Sequence, residues 1–335
     1  MTTGYSNSRL QQRIIGSKYL LAGVLGLCAA CWLLLAPAPQ APRPADEGGL
    51  LSAFFGWVQR DFWLSLGLGC VLYVFAGILL AAHNNHFALI RTRASTQTAL
   101  FYLLITLFPR VYFFGRGILT GMLLLGSFHY LFRSYQKEFS QGDLFNASVL
   151  FALAALLSPK LYLLFPFVWI GASMFMSLHP RSFIATLIGG GIPHALLFSY
   201  SFYTGEPGLP AQQLEAITSF GPIGFDFPAE TVAPLLFLFA LYVMSAAHCL
   251  STHYNDRIQT RIYLRFILLF SLGLFVLIGL QPDQLTLLLP FLVMQVSLLA
   301  GHFFVLSHNR LSNILFIANL AILALLFVTL LWKVY

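Results

Sequence analysis

Apolar runs, most of them close to the length of a membrane-crossing helix, recur along the chain and are broken by short polar segments. A helix needs about 20 such residues to cross the hydrocarbon core of a bilayer. The runs fall at 18–36, 62–82, 97–114, 117–132, 146–159, 161–178, 183–203, 231–249, 264–280, 284–305 and 312–332. This pattern predicts an all-α fold: a polytopic transmembrane helical bundle of about eleven spans (10–12), forming a single integral membrane domain over 1–335. Two stretches are tight. Residues 97–132 and 146–178 must each go out and back within 36 and 33 residues. Each arm then rises roughly 25 Å, less than a core about 30 Å thick, so both are expected as short outer hairpins.

The turns of those hairpins read alike. "TLFPRVYFF" and "LLSPKLYLLFPF" correspond at an offset of 50, pairing Pro109 with Pro159, Arg110 with Lys160 and Tyr112 with Tyr162. A weaker third copy, "LQPDQLTLLLPFLV", sets Pro282 in the same place and Asp283 where the cation stands. Two longer outer loops are expected at 37–61 and 204–230. Within the first, "LLSAFFGWVQRDFW" mixes aromatic residues with Gln59, Arg60 and Asp61, as an interfacial amphipathic helix does.

Composition supports the membrane reading and removes others. Charged residues make up 9% and hydrophobic residues 59%, with mean hydropathy +0.81; a soluble domain carries about 25% charged residues. With a cytoplasmic N-terminus, twelve cations fall on inner segments and six on outer ones, and eight of the eleven acids fall outside. This positive-inside bias accounts for the net charge of +7, so no nucleic-acid partner is expected. Cys28, Cys31, Cys70 and Cys249 lie within apolar runs and read as small helix residues. No P-loop, G-x-S-x-G, H-E-x-x-H or dinucleotide fingerprint occurs.

The candidate chemistry is therefore scattered. Arg110, Arg116 and Lys160 sit near the outer boundary, where an ionisable group must snorkel, pair or line a wet cavity. Arg binds phosphate by its fork and Lys as a point charge, so these three are candidates for a phosphate or lipid head group. The competing reading is a proline-broken hairpin tip with a snorkelling cation. His194 lies within a span beside Gly189, Gly190, Gly191 and Pro193, in either a closely packed helix or a broken one lining a cavity. His83, His86, His248 and His253 lack the three or four ligands of a zinc site and read as interfacial. No metal or cofactor is expected.

The run from "AAHNNHFALIRTRASTQTALFYLLITLFPRVYF" through "DLFNASVLFALAALLSPKLYLLFPFVWIG" resembles an uncharacterised family of multi-pass inner-membrane proteins of Gram-negative bacteria. A weaker similarity is to the C-type superfamily of glycosyltransferases that use polyprenyl-phosphate-linked sugars on the outer face. That similarity implies an acidic catalytic residue in the first outer loop, where this chain offers Asp46, Glu47 and Asp61; Glu47 or Asp61 would act as base. The expected activity is the handling of a lipid-linked envelope precursor, with membrane lipids and a polyprenyl-phosphate carrier as partners. The alternatives are a scaffold of an envelope complex with protein partners, or a transporter or flippase drawing on His194 and His129.

Overall fold

The computed structural model describes residues 10–17, 19–37, 52–90, 95–205, 208–221, 227–251, 257–307 and 310–334. In chain order the helices are α1 (Leu10–Ile15), α2 (Leu20–Leu35), α3 (Ser52–Gln59), α4 (Phe62–Phe87), α5 (Thr96–Ile105), α6 (Arg116–Arg133) and α7 (Gln141–Leu157). They continue with α8 (Pro166–Met174), α9 (Pro180–Thr204), α10 (Gly208–Thr218), α11 (Ala229–Ser251), α12 (Ile258–Leu280), α13 (Leu285–Leu306) and α14 (Arg310–Val334). No strand occurs among the described residues.

Six of these, α4, α9, α11, α12, α13 with its leading turn, and α14, are long and apolar enough to cross a membrane. Large apolar side chains such as Phe202, Leu325 and Val328 stand exposed on α9 and α14, as lipid-facing surfaces require. The expectation of eleven separate crossings is not met by the described helices. The arms read at 97–114 and 161–178 are α5 and α8, with 10 and 9 helical residues. At 1.5 Å per residue they rise about 15 and 14 Å, half of a bilayer core. Prolines end α5 early and start α8 late, and the remaining length of each arm goes into the turns.

Three proline turns of one design define one end of the bundle. They span Pro109–Val111, Pro159–Leu164 and Pro282–Gln284, each a 3-10 segment joining two helices. The residue before each proline has nearly the same backbone: φ −124, ψ 80 at Phe108; φ −134, ψ 84 at Ser158; φ −137, ψ 82 at Gln281. Proline's ring excludes the α region from the residue preceding it, which ends the helix there. Proline lacks an N–H, a loss that costs nothing at the first position of a new helical turn. In all three the N–H two residues after proline bonds the carbonyl of the residue before it, at 3.1, 2.9 and 3.0 Å.

The core is built around α13, whose segment from Leu287 to Val305 is buried throughout. Helices α5, α6, α11 and α12 surround it. A cluster of Phe128, Phe132, Phe175, Tyr263, Phe266 and Phe270 joins α6, α8 and α12, with Phe132 and Tyr263 stacked at 4.3 Å. At the end opposite the tips, Asp143 accepts from Arg133 (2.6 Å) and Lys137 (2.7 Å), closing the turn between α6 and α7.

Close backbone approach explains the first glycine of the α9 triplet. A Cβ on Gly189 would stand 2.6 Å from the Phe145 carbonyl of α7, whereas one on Gly191 would meet nothing within 4 Å. Small residues at such contacts let helix backbones meet in lipid. Gly189→Val is therefore expected to destabilise the protein by about 1–3 kcal/mol, while Gly191→Ala changes little; thermal unfolding of the two purified variants checks the contrast.

Candidate functional site

The described end of the loop expected at 37–61 packs against the first tip. Helix α3, Ser52–Gln59, forms within the stretch read as amphipathic and places Phe55 in a stacked contact with Phe114 at 5.4 Å. Gln59 Nε2 donates to the Phe114 carbonyl at 3.0 Å, and the Phe114 N–H donates to Ser65 at the start of α4 at 2.9 Å. From below, Trp32 of α2 stacks on Tyr112 at 4.7 Å and donates to Thr106 Oγ1 at 3.0 Å. The Tyr112 hydroxyl in turn donates to the Thr106 carbonyl. Tip one is thus fixed from three sides.

Beside it lies a pocket of about 40 Å³, lined by Gln59, Tyr73, Arg110, Thr286, the start of α6 at residues 115–118, and apolar residues including Phe113 and Pro290. One water needs roughly 10–15 Å³ on this measure, so the space suits about three waters or one tetrahedral oxyanion. Two arginines contribute to an otherwise mixed polar and apolar lining. Arg116 is only 6% exposed and opens α6, whose N-cap, Gly115, supplies no side-chain acceptor. Residues 115–118 at the start of α6 are part of the lining, so the partial positive charge of a helix N-terminus lies close by. Tyr73 is buried, and its hydroxyl has no hydrogen-bond partner among the described residues.

The remaining sequence candidates separate. Arg110 Nε and Nη2 both donate to Glu230 Oε1, at 3.1 and 2.6 Å, tying tip one to the start of α11. Lys160 does not line this pocket. It is buried, and its Nζ donates to Gln281 Oε1 at 2.6 Å and to Asp283 Oδ2 at 2.9 Å, joining tips two and three. Asp61 is the N-cap of α4 and accepts from the Leu64 N–H at 3.0 Å. Glu47 lies outside the described residues. His194 Nδ1 and the Tyr162 hydroxyl are 2.8 Å apart, which attaches α9 to tip two.

No family model, curated protein or solved structure matches the chain. What the site can do rests on its own geometry. Arg116 and the start of α6 border this small space, and the second arginine, Arg110, is shared with Glu230. Sequence reasoning missed Glu230 and Gln281 because nothing local marks them: each meets its cation across about 120 residues of chain, 120 for Arg110–Glu230 and 121 for Lys160–Gln281.

The link between tips two and three can be measured. Unfolding of Lys160→Met, Asp283→Asn and the double variant forms a cycle, and a coupling of about 1 kcal/mol is expected. The value stays modest because the Asp283 side chain is 59% exposed. Strictly additive effects would show that the pair contributes nothing.

Proposed function

We propose that the protein binds the phosphate of a lipid-linked precursor, of the polyprenyl-phosphate class, at the tip end of its bundle. In this reading the tips face the outer side of a bacterial inner membrane, and the protein takes part in building the cell envelope. The observation that carries the proposal is the pocket shared by Arg110, Arg116 and the first turn of α6. Arginine at a helix start meets phosphate oxygens with charge-assisted hydrogen bonds, while the apolar remainder of the carrier stays in lipid. Among the described lining residues there is no carboxylate or imidazole. The pocket therefore supports capture and orientation of the anion, with any proton transfer left to a residue brought in with the second reactant.

One observation favours a second reading, a scaffold of an envelope complex. Arg110 and Lys160 are each held by a carboxylate from a distant segment, as they would be if their work were to hold the tips together.

Binding of dodecyl phosphate to the purified protein, against dodecanol as the uncharged control, separates the two. Arg116→Gln is expected to weaken dodecyl phosphate binding about ten- to a hundredfold, the worth of a charge-assisted hydrogen bond. Asp61→Asn retains its cap, since Asn and Asp cap equally well, and binding should be unchanged. Equal affinity of wild type and a folded Arg116→Gln variant would overturn the phosphate reading and leave the scaffold.

A further inference from the structure

A second cavity, of about 330 Å³, lies between α4 and α6 toward the end opposite the tips. His83, His86 and His129 line one part of it, and Leu79, Met122 and Leu125 continue it along the two helices. The His86 and His129 rings are 5.0 Å apart and the His83 and His129 rings 6.0 Å. His83 is 4% exposed, and its Nδ1 has no hydrogen-bond partner among the described residues. Ala82 and His86 are exposed at the rim, so the cavity opens sideways from the bundle.

Size and lining decide what fits. The volume falls at the lower end of small-molecule pockets, about 300–1,000 Å³, and is far larger than an ion requires. No group of three described His, Cys, Asp or Glu side chains is arranged to hold a metal. An anion is disfavoured, because no Lys or Arg lines the space and Arg133, one turn further on, is bonded to Asp143. A plain alkyl chain would cover the half-buried His129 imidazole without pairing it, which is costly. A neutral imidazole offers one donor and one acceptor, so it pairs equally with a carbonyl or a hydroxyl. From His129 to Met122 the cavity runs about 10 Å along α6 into apolar surroundings.

We propose that this cavity binds the head ring of a lipid-soluble quinone or its quinol, with ring oxygens against His83 and His129 and the tail along Leu79 and Met122. Carbonyl and hydroxyl forms of one flat ring match a site whose polar groups can each donate or accept. The apolar groove accepts the tail, and the open rim admits it from the lipid.

The test uses tritiated decylubiquinone and the full chain in phosphatidylcholine nanodiscs. Saturable binding at one site per chain is expected, weakened about tenfold in His83→Leu and in His129→Leu. Ala82→Trp, at an exposed rim position that disturbs no buried packing, is expected to abolish binding while leaving the unfolding midpoint in place. Dodecyl phosphate should not compete, which separates this cavity from the pocket at the tips. Non-saturable uptake, full binding by Ala82→Trp, displacement by dodecyl phosphate, or displacement by zinc ions would each overturn the assignment.

Discussion

The burial of α13 is the constraint on which the other placements depend. Lipid offers no partner for an exposed polar group, and helices in lipid associate through close packing more than through hydrophobic gain. A helix buried along its length can hold Gln295, Ser297 and His302 in its middle and end without meeting lipid. Its neighbours must then approach closely. A Cβ on Gly117 would stand 2.4 Å from the Thr286 carbonyl, so α6 begins almost in contact with the backbone of α13. That contact brings Arg116 beside Thr286 and sets the floor of the pocket at the tips.

Charge is handled in the same economical way at both ends. The protein has 18 cations and 11 acids, and in the described ion pairs each buried member, Asp143 at one end and Lys160 at the other, meets an opposite charge. Asp143, with a side chain only 5% exposed, serves Arg133 and Lys137 together. At the tips, Glu230 and Asp283 each take one cation. Breaking one partner of such a pair costs more than the pair contributes, because a partly buried charge is left behind. The pairs therefore act mainly on which segments meet.

Much of this was legible from residue order, and the failures have physical reasons. The proline turns were readable because proline acts locally, through its ring and missing N–H. Helix α3 was readable from the mixed aromatic and polar residues between 50 and 63. The span count was not, since apolar content alone does not distinguish a lipid-crossing helix from the 10 residues of α5, nearly all buried in protein. Residues 204–230 were expected as a loop, yet α10 runs Gly208–Thr218 within it, packed against α9 and tip two. Lys160 read as a surface-seeking cation; its partners Gln281 and Asp283 are visible only once tip three is placed beside tip two. The three histidines of the lateral cavity lie on two helices, so no spacing rule groups His129 with His83 and His86.

The third turn carries an acid where the first two carry cations, and this inversion bears on folding fidelity. Hairpins 97–132 and 146–178 share the backbone geometry that leads into the proline, and each joins one short helix to one long one, in opposite order. The conformation of the residue before each proline does not tell the turns apart. Their partners do: a single amine on Lys160 divides between Gln281 and Asp283, whereas the Arg110 guanidinium grips one oxygen of Glu230 with two nitrogens. An exchanged arrangement would set a five-donor planar fork against a niche shaped for a point charge. Specificity of this kind comes from penalising the wrong partner as much as from rewarding the right one, and it lets a repeated turn be used three times in one chain without ambiguity of placement.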